Sequence, residues 1–342
     1  MAGLATSLGS GAMTNSIAEI SGASTIFAIG TNTTQAHPVL ALQAKKAARE
    51  GANLIVANPK EIDLCRHATI HLQHRPGTDV ALVMGMIKVI VDAGLADMDF
   101  ISSRCENYDG FVDSLKEFDL ATAEKITGVP GELISKAAKM YAGEGPSSIL
   151  YCMGITQHCH GTDNVWSLSN LALVTGNIGK ASAGVNPLRG QNNVQGSCDM
   201  GALPDVYPGY QKVAKAENKQ KFEAAWGVSL SDKEGLTHSE IFDDIHDGEI
   251  TALYLIGENP YLSEANANHA IESMNRLDFL VVQDIFLTET AELADVVLPA
   301  SSFAEKDRTF SNTERRIQRV RKAIDSPGEA KPDWRIVADI AA

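Results

Sequence analysis

One glycine-rich stretch, residues 175–201, holds a cation in polar and mostly uncharged surroundings. Six glycines occur in its 27 residues, and neither a helical nor a strand period runs through it. Arg189 stands among amide side chains, which donate and accept hydrogen bonds without adding charge. These amides are Asn186, Gln191, Asn192, Asn193 and Gln195. A solvated linker would contain more Ser, Pro and charge, so the pattern favours an ordered loop, too polar for the core, that binds a polar and partly anionic ligand.

Further polar segments follow the predicted strands at their carboxyl ends. In open parallel sheets ligands bind beyond these ends, where loops and helix N-termini present N–H groups. Together the segments favour one extended ligand. They are Gly30-Thr31-Asn32, Asn58-Pro59-Lys60, Met153-Gly154-Ile155-Thr156-Gln157, Gly257-Glu258-Asn259-Pro260 and Gln283-Asp284.

Other kinds of site find little support in the sequence. No Gly-x-Gly-x-x-Gly follows the first strand and no Walker lysine is present, so the usual phosphate turns are missing. His158-Cys159-His160 cannot close a tetrahedral metal site without a distant ligand, and nothing marks a base for Cys159 as a nucleophile. We therefore predict no metal ligand in this chain. His71 and His74 are predicted to be edge residues of a strand.

The composition is that of a globular protein with acidic charge. Of 342 residues, 44% are hydrophobic and 21% charged, and 29 basic against 43 acidic residues give a formal net charge of -14. This charge repels phosphate backbones and anionic lipid, which argues against nucleic acid and membrane surfaces as partners. The five cysteines are odd in number and widely spaced. That argues against a disulfide framework or a cluster built from this chain and favours a reducing, cytoplasmic location. No membrane-spanning run or signal peptide is recognised.

An alternating α/β pattern must position these residues. Apolar runs predict buried parallel strands, and the amphipathic segments between them predict helices. The predicted strands are 25–29, 53–57, 70–72, 148–152, 251–256, 279–282 and 296–298, and the predicted helices are 38–50, 79–93, 163–174, 263–275 and 288–293, with a solvated helix at 211–221. The pattern predicts two doubly wound, Rossmann-like α/β domains with mainly parallel sheets, at 1–190 and 191–342.

The chain also carries a set of longer motifs. They are Gly-Ala-Met-Thr-Asn-Ser at 11–16, Arg-Pro-Gly-Thr-Asp at 75–79, Thr-Gly-Asn-Ile-Gly-Lys at 175–180, Pro-Leu-Arg-Gly-Gln-Asn-Asn-Val-Gln-Gly at 187–196, Gly-Glu-Asn-Pro at 257–260, Ala-Asp-Val-Val-Leu-Pro at 294–299 and Asn-Thr-Glu-Arg-Arg at 312–316. As a set they resemble the catalytic subunit of molybdenum- or tungsten-dependent formate dehydrogenases, in the molybdopterin oxidoreductase superfamily. The resemblance covers essentially the whole chain, and the arginine loop with Cys198-Asp199-Met200-Gly201 is its most specific part.

The resemblance implies a cofactor of two pterin guanine dinucleotides on one molybdenum or tungsten ion, held by both domains. Arg189 is implied to lie beside the metal and to orient the carboxylate of formate, while Gln191 reaches the pterin. The other implied dinucleotide contacts are Gly30, Asn32, Asn58, Lys60, Gly77, Asp79, Met153, Gly154 and Gln157 in the first domain and Gly257, Asn259, Ser263, Gln283 and Asp333 in the second. Asn58-Pro59-Lys60 departs from the Asp-Pro-Arg of many relatives. Asn58 therefore lacks the charge of an aspartate that accepts from a ribose, and Lys60 presents a point charge to a phosphate in place of the forked guanidinium of arginine.

Parts of the family pattern are absent from this sequence. They are the iron–sulfur cysteines, the metal-ligating cysteine or selenocysteine with its histidine, and the carboxy-terminal domain that covers the pterin. We therefore expect the chain to be the central part of a longer subunit, inactive by itself, with the 4Fe-4S cluster and the metal ligand encoded upstream. A selenocysteine codon read as a stop is one hypothesis for such a beginning.

The implied function is the oxidation of formate to carbon dioxide. Electrons would pass through a pterin to the iron–sulfur cluster and on to an electron-transfer subunit that carries iron–sulfur or flavin groups. A nitrate reductase of the same superfamily and a non-catalytic electron-carrier scaffold are the alternatives. The Arg189 loop favours formate, and a scaffold would contain neither metal nor pterin. The sequence does not distinguish molybdenum from tungsten.

Overall fold

The computed structural model describes residues 2–143 and 145–342, and these divide into two compact units. Unit 1 comprises Met1–Gln195 together with Ser311–Arg316. Unit 2 comprises Gly196–Phe310 and Ile317–Ala342. The chain thus leaves unit 1, returns to it for one short segment, and leaves again. The domain boundary predicted at 190/191 stays a prediction.

Within the described residues of unit 1, five strands form one parallel sheet in the order β3-β2-β1-β4-β5. They are β1 (Thr25–Ile29), β2 (Asn53–Ala57), β3 (Ile70–Leu72), β4 (Ser147–Tyr151) and β5 (Gly184–Pro187). The chain winds outward from β1 in one direction and from β4 in the other, so the strand order reverses between β1 and β4. Ligand crevices of doubly wound sheets lie at such a point, beyond the carboxyl ends of the strands.

The two faces of this sheet bury alternate residues of each strand. Phe27 and Ile29 pack with apolar residues of α4, α8 and α10, whereas Ile26 and Ala28 pack with α3 on the other face. The helices here are α1 (Ala2–Leu8), α2 (Thr33–Ala36), α3 (Pro38–Arg49), α4 (Asp79–Asp92), α5 (Met98–Arg104), α6 (Tyr108–Ser114), α7 (Leu120–Thr127), α8 (Gly131–Tyr141), α9 (Met153–Thr156) and α10 (Gly161–Val174). Cover on both faces explains why the strands read as continuous apolar runs.

Unit 2 is built around a second parallel sheet, which over its described residues has the order β10-β9-β8. From Val194 onward the helices are α11 (Val194–Asp199), α12 (Ala216–Trp226), α13 (His238–Asp247), α14 (Pro260–Ser263), α15 (Ala267–Met274), α16 (Glu289–Glu292) and α17 (Asp333–Ala341). The strands are β6 (Val206–Tyr207), β7 (Gln211–Lys212), β8 (Ala252–Ile256), β9 (Phe279–Asp284), β10 (Val296–Pro299), β11 (Arg308–Ser311) and β12 (Ile317–Val320). The predicted α/β fold with mainly parallel sheets is confirmed.

The prediction that residues 175–201 form a loop too polar for the core is wrong in its central part. Residues 183–188 are buried, and β5 is paired with β4. Asn186 is fully buried, and both ends of its amide are hydrogen-bonded. Its NH₂ group donates to Ser148 Oγ at 2.9 Å, and its Oδ1 accepts from the backbone N–H of Asn15 at 3.3 Å. A polar residue whose hydrogen bonds are satisfied can lie in a core.

Candidate functional site

Arg189 lies just after the end of β5, and hydrogen bonds to its own backbone N–H and carbonyl hold it in place. Its N–H donates to Thr313 Oγ1 at 3.2 Å, and the same hydroxyl donates to the carbonyl of Pro187 at 2.7 Å. The carbonyl of Arg189 accepts from His37 Nε2 at 2.6 Å. Thr313 belongs to the segment that returns to unit 1, so the 312–316 motif fixes the path of the arginine loop. The sequence contained this motif but gave no sign of its contact.

The guanidinium of Arg189 is oriented by neutral acceptors. Its Nε donates to Gln195 Oε1 at 3.3 Å, and Nη2 donates to the carbonyl of Gly11. Within the part of the chain that the structure describes, no carboxylate forms an ion pair with it. Burial raises the pKa of the Cys152 thiol, and the positive charge of Arg189 acts in the opposite direction. Arg189 is therefore a half-buried, fixed and uncompensated positive charge.

The amides predicted to surround Arg189 have different positions. Gln195 is buried and hydrogen-bonded to the guanidinium, and Asn193 Oδ1 accepts from the N–H of Ser311 at 3.0 Å. Gln191 and Asn192 are exposed. Asn193 and Gln195 thus hold the arginine loop, and Gln191 is left accessible for a ligand.

Six of the predicted contact residues of unit 1 meet in a cavity at the carboxyl edge of its sheet. The cavity has a volume of about 280 Å³. Those six residues are Gly30, Asn32, Asn58, Gly77, Asp79 and Gly154, and the lining also includes Thr31, Pro59, His74, Pro76 and His158. The predicted contacts Lys60, Met153 and Gln157 are exposed and do not line it.

Glycines are required where β1 and β4 end side by side. The N–H of Gly154 donates to the carbonyl of Gly30 at 3.0 Å. A Cβ added to Gly30 would lie 2.8 Å from the carbonyl carbon of Gly154, and one added to Gly154 would lie 2.6 Å from the oxygen of Gly30. Gly30 also has a φ of +58°, which side chains rarely permit. Side chains here would separate the two strand ends at the point where the strand order reverses.

Several buried polar atoms beside this point have no hydrogen-bond partner among the described residues. They include Thr31 Oγ1 and Asn32 Oδ1 in the turn after β1, and Thr33 Oγ1 and Thr34 Oγ1 at the start of α2. Buried polar groups are nearly always paired, so orphaned oxygens at a cavity indicate a polar ligand or water. The sequence included Thr31 only as part of a polar strand end and did not single out Thr33.

His74 was predicted to be an edge residue of a strand, and this prediction is wrong. It lies two residues beyond β3, is buried, and its Nε2 is 2.9 Å from Asp79 Oδ1. The side chains of His74 and Asp79 are 1% and 4% exposed. His158 Nε2 lies 3.9 Å from Asp79 Oδ2. The only signal in the sequence was a histidine five residues before an aspartate, across the turn at Pro76-Gly77.

In unit 2, the structure places Gln283 and Asp333 in one polar network. Gln283 Nε2 donates to Asp333 Oδ1 at 2.9 Å, and Gln283 Oε1 accepts from the hydroxyl of Tyr254. The buried Lys306 pairs with Asp333 Oδ2 and donates to the carbonyl of Ser301 at 2.7 Å. Partial burial acts to raise the pKa of Asp333, but the hydrogen bonds from Lys306 and Gln283 outweigh it and lower that pKa. Lys306 was not recognised from the sequence.

The other predicted residues of unit 2 lie at the ends of β8 and the turn after it. Gly257, with a φ of +66°, donates its N–H to the carbonyl of Gln283 at 2.8 Å. Asn259 Oδ1 accepts from the N–H of Thr290 at 3.3 Å, and the N–H of Ser263 donates to the carbonyl of Asn259 at 3.0 Å. Gly257 and Gln283 are therefore neighbours at the carboxyl edge, while Asn259 mainly holds the turn.

Two features are absent from the described residues. No three His, Cys, Asp or Glu side chains among them are arranged to hold a metal ion. Within residues 2–143 and 145–342, no helix has the length and apolar character needed to cross a membrane.

Comparison with known proteins agrees with this architecture. The chain is 50% identical over 339 residues to the F420-dependent formate dehydrogenase subunit alpha of Methanocaldococcus jannaschii, covering 99% of this chain and 50% of that protein. It is 42% identical over 342 residues to formate dehydrogenase H of Escherichia coli, covering 100% and 48%. Its fold is similar to acetylene hydratase from Pelobacter acetylenicus, with a TM-score of 0.79 at 22% identity, covering 99% and 49%. The chain spans about half the length of the curated relatives it matches.

The resemblance inferred from the motifs is confirmed. The family described as molybdopterin oxidoreductase matches residues 3–342, so both units fall within a single family match. The chain belongs to the molybdopterin oxidoreductase family.

Proposed function

We propose that the chain is the central part of the catalytic subunit of a cytoplasmic formate dehydrogenase. The intact subunit oxidises formate to carbon dioxide at a molybdenum or tungsten centre with bis-molybdopterin guanine dinucleotide. Electrons leave through a 4Fe-4S cluster to a partner subunit that carries iron–sulfur or flavin groups. The names of the relatives at 50% and 42% identity support this substrate and this reaction.

The observation that carries the proposal is the uncompensated guanidinium of Arg189. Its hydrogen bonds to Gln195 and Gly11 use only part of the donor fork, and they fix the plane of the group. A fixed, permanently charged fork matches the two oxygens of a carboxylate. Arg189 thus binds the formate oxygens and holds the C–H bond in one direction.

The described residues also fit a nucleotide-bearing cofactor in both units. In unit 1, the orphaned oxygens of Thr31, Asn32 and Thr33 and the glycine contact between Gly30 and Gly154 leave polar groups and space beside the cavity. In unit 2, Asp333 is an ionised acceptor that Lys306 and Gln283 hold in place. The cofactor supplies the two-electron oxidation when bound, and the protein supplies binding and orientation.

We propose the following residues as cofactor contacts. In unit 1 they are Gly30, Asn32, Asn58, Lys60, Gly77, Asp79, Met153, Gly154, Gln157 and Gln191. In unit 2 they are Gly257, Asn259, Ser263, Gln283 and Asp333. The cavity-lining residues of unit 1 are expected to contact the nucleotide most closely, because Lys60, Met153 and Gln157 lie outside the lining.

The test is substitution of Arg189 in the intact subunit, purified without oxygen. We expect R189A to lower kcat/KM for formate by about 100-fold while pterin and metal contents stay unchanged, and R189K to fall between it and the wild type. A viologen dye or coenzyme F420, which is in the name of the M. jannaschii relative, serves as electron acceptor. Full formate turnover by R189A would contradict the assignment.

The same preparation separates the alternatives. A nitrate reductase would reduce nitrate and leave formate untouched, so both substrates are assayed side by side. A scaffold would contain neither pterin nor metal, which oxidative release of the pterin fluorophore and elemental analysis would reveal.

A further inference from the structure

His37 contacts the backbone of Arg189 and is not among the proposed cofactor contacts. Its Nε2 lies 2.6 Å from the carbonyl oxygen of Arg189, 152 residues later in the chain. A carbonyl oxygen only accepts, so Nε2 carries the proton of this bond whether the ring is neutral or charged. The bond therefore needs an N–H at this position and does not need a charge.

The other ring nitrogen of His37 has no such contact. Nδ1 is buried, and it has no hydrogen-bond partner among the described residues. Within that part of the chain, the polar role of the ring is the single hydrogen bond from Nε2. A side chain that places an N–H at the position of Nε2 should therefore replace the ring, whereas one that places it at the position of Nδ1 should not.

The backbone of His37 is fixed where α2 ends and α3 begins. Its N–H donates to the carbonyl of Thr33 at 2.9 Å, and its carbonyl accepts from the N–H of Ala41 at 2.9 Å. Helix α3 packs on the sheet of unit 1 through buried residues such as Leu40. The ring of His37 therefore connects Arg189 to a helix that is itself packed against the core.

Two backbone hydrogen bonds together determine where the side chain of Arg189 begins. The hydroxyl of Thr313 holds the peptide unit before Arg189 through its N–H, and the ring of His37 holds the peptide unit after it through its carbonyl. Peptide units are planar, so a residue with both of its neighbouring units held has neither φ nor ψ free to rotate. Without His37, rotation about φ would move the Cβ of Arg189 and the guanidinium with it.

We propose that His37 is a positioning residue for the oxidation of formate, which holds the carbonyl of Arg189 and so fixes the guanidinium before the substrate arrives. The inference rests on the proposed function and adds to it a residue that acts through Arg189. Formate that meets a fixed guanidinium binds without the entropy cost of ordering it. Loss of His37 should therefore appear mainly in KM, since the charge of Arg189 and the cofactor stay in place.

The experiment compares two amides at position 37 of the intact subunit, purified without oxygen. In H37Q the side-chain amide reaches the position of Nε2 and can donate to Arg189, whereas in H37N it reaches only the position of Nδ1. H67N is the matched control, because His67 is an exposed histidine of the same unit. Formate kinetics are measured with a viologen dye, and hydrogen exchange of the Arg189 N–H is followed by mass spectrometry on the same samples.

We expect H37N to raise KM for formate about 10-fold through the loss of one hydrogen bond, with kcat changed less than about threefold and pterin content unchanged. The N–H of Arg189 should exchange about 10-fold faster because the loop opens more often, while peptides from β1 and β2 exchange as in the wild type. H37Q should stay within about threefold of the wild type in both measurements. H67N should have no effect on either.

Two results would overturn the role of His37. One is H37N with either the KM or the Arg189 exchange rate of the wild type. The other is H37Q impaired as strongly as H37N, which would mean that the ring fills space and that its N–H is not needed. If H37N lacks pterin or is unfolded by circular dichroism, H37M replaces it, because methionine is closer to histidine in volume and has no N–H.

Failure of the proposed function would look different. A wild-type subunit that does not oxidise formate, or R189A with full turnover, would contradict that function. Hydrogen exchange at Arg189 is measured without substrate, so it still tests whether His37 holds the backbone of Arg189.

Discussion

At the scale of single residues, the charge of Arg189 matters because its partners are neutral. Gln195 and the carbonyl of Gly11 orient the guanidinium without cancelling its charge. A carboxylate in either place would form an ion pair and compete with the anion that Arg189 is proposed to bind. Neutral groups thus fix the orientation of the guanidinium, and its positive charge is kept.

Replacing Gln195 with glutamate tests this separation. Q195E places a negative charge next to Arg189 Nε while keeping the hydrogen bond, so we expect KM for formate to rise about 10-fold or more in the intact subunit. N192D is the control, because Asn192 is an exposed amide of the same loop and undergoes the same change of charge. Equal effects of the two substitutions would mean that general repulsion, not pairing with Arg189, is responsible.

Glu19 gives a prediction about pH. The N–H of Ser16 donates to it at 2.7 Å, and this bond, the amide of Asn15 and the hydroxyl of Ser16 lower the pKa of Glu19 to about 2. A carboxyl whose pKa is lower in the folded state stabilises the protein above its ordinary pKa of about 4.3, and this stabilisation is lost as pH falls toward about 2.

Urea unfolding of E19Q tests whether the stabilisation by Glu19 decreases as pH falls. Since the carboxylate is partly solvent-screened, we expect the variant to be less stable than the wild type by about 1 kcal/mol at pH 7, with a smaller difference at pH 3. E50Q is the control, because Glu50 is exposed and its carboxylate lies 4.0 Å from Lys46 Nζ. A difference that grew toward pH 3 would contradict the assignment.

At the scale of elements, the ends of β1 and β4 are joined by a contact that excludes side chains. G154A would place a Cβ 2.6 Å from the carbonyl oxygen of Gly30. We expect a loss of about 2 kcal/mol in the free energy of unfolding, because the strand ends must separate. G190A is the control, since nothing lies within 4 Å of its added Cβ. Equal urea midpoints for the two variants would show that the ends of β1 and β4 can accommodate a Cβ at residue 154.

The returning segment holds the end of β5 through one hydroxyl. Thr313 accepts from the N–H of Arg189 and donates to the carbonyl of Pro187, and T313V removes both hydrogen bonds with little change in shape. We expect KM for formate to rise severalfold in the intact subunit at unchanged pterin content, with a stability loss of about 1 to 2 kcal/mol. The control is T6V, because Thr6 is an exposed threonine of α1. A change in pterin content without a change in KM would point to the cofactor instead.

Some elements can be predicted from their own residues, and others depend on partners elsewhere in the chain. β1, β2 and β3 have the bounds that their apolar runs predicted, since burial on both faces leaves a continuous pattern. β5 was missed because Gly184, Asn186 and Pro187 carry no strand signal, and its pairing depends on partners in β4 and at Asn15. The His74–Asp79 pair was missed for the same reason, since its contact is formed by the turn between them.

At the scale of the whole molecule, the two sheets differ in extent and in winding, because the strand order reverses in unit 1, whereas β8, β9 and β10 follow one another in unit 2. Both are parallel in the described residues, with their predicted contacts at the carboxyl ends. The motifs allowed the family to be recognised from the sequence, whereas the return of 311–316 into unit 1 was not foreseen. Local patterns carry no information about a partner more than a hundred residues away.

Truncation tests what the return contributes. A chain ending at residue 310 lacks Thr313, so we expect its sheet in unit 1 to form and its arginine loop at 188–195 to be cut by trypsin or chymotrypsin several times faster. A chain ending at residue 316 keeps the segment and serves as the control. Equal cleavage rates would show that the segment is dispensable for the loop.

The return also sets an order of events during synthesis. The hydroxyl that fixes Arg189 lies 124 residues later in the chain, and ribosomes add about 5 to 20 residues per second. Roughly 6 to 25 seconds therefore pass between the synthesis of Arg189 and that of Thr313, while β1 to β5 are already available to pair. During this interval the backbone N–H of Arg189 lacks the hydroxyl of Thr313, so the cation that is proposed to meet the substrate is among the last parts of unit 1 to gain all of its contacts.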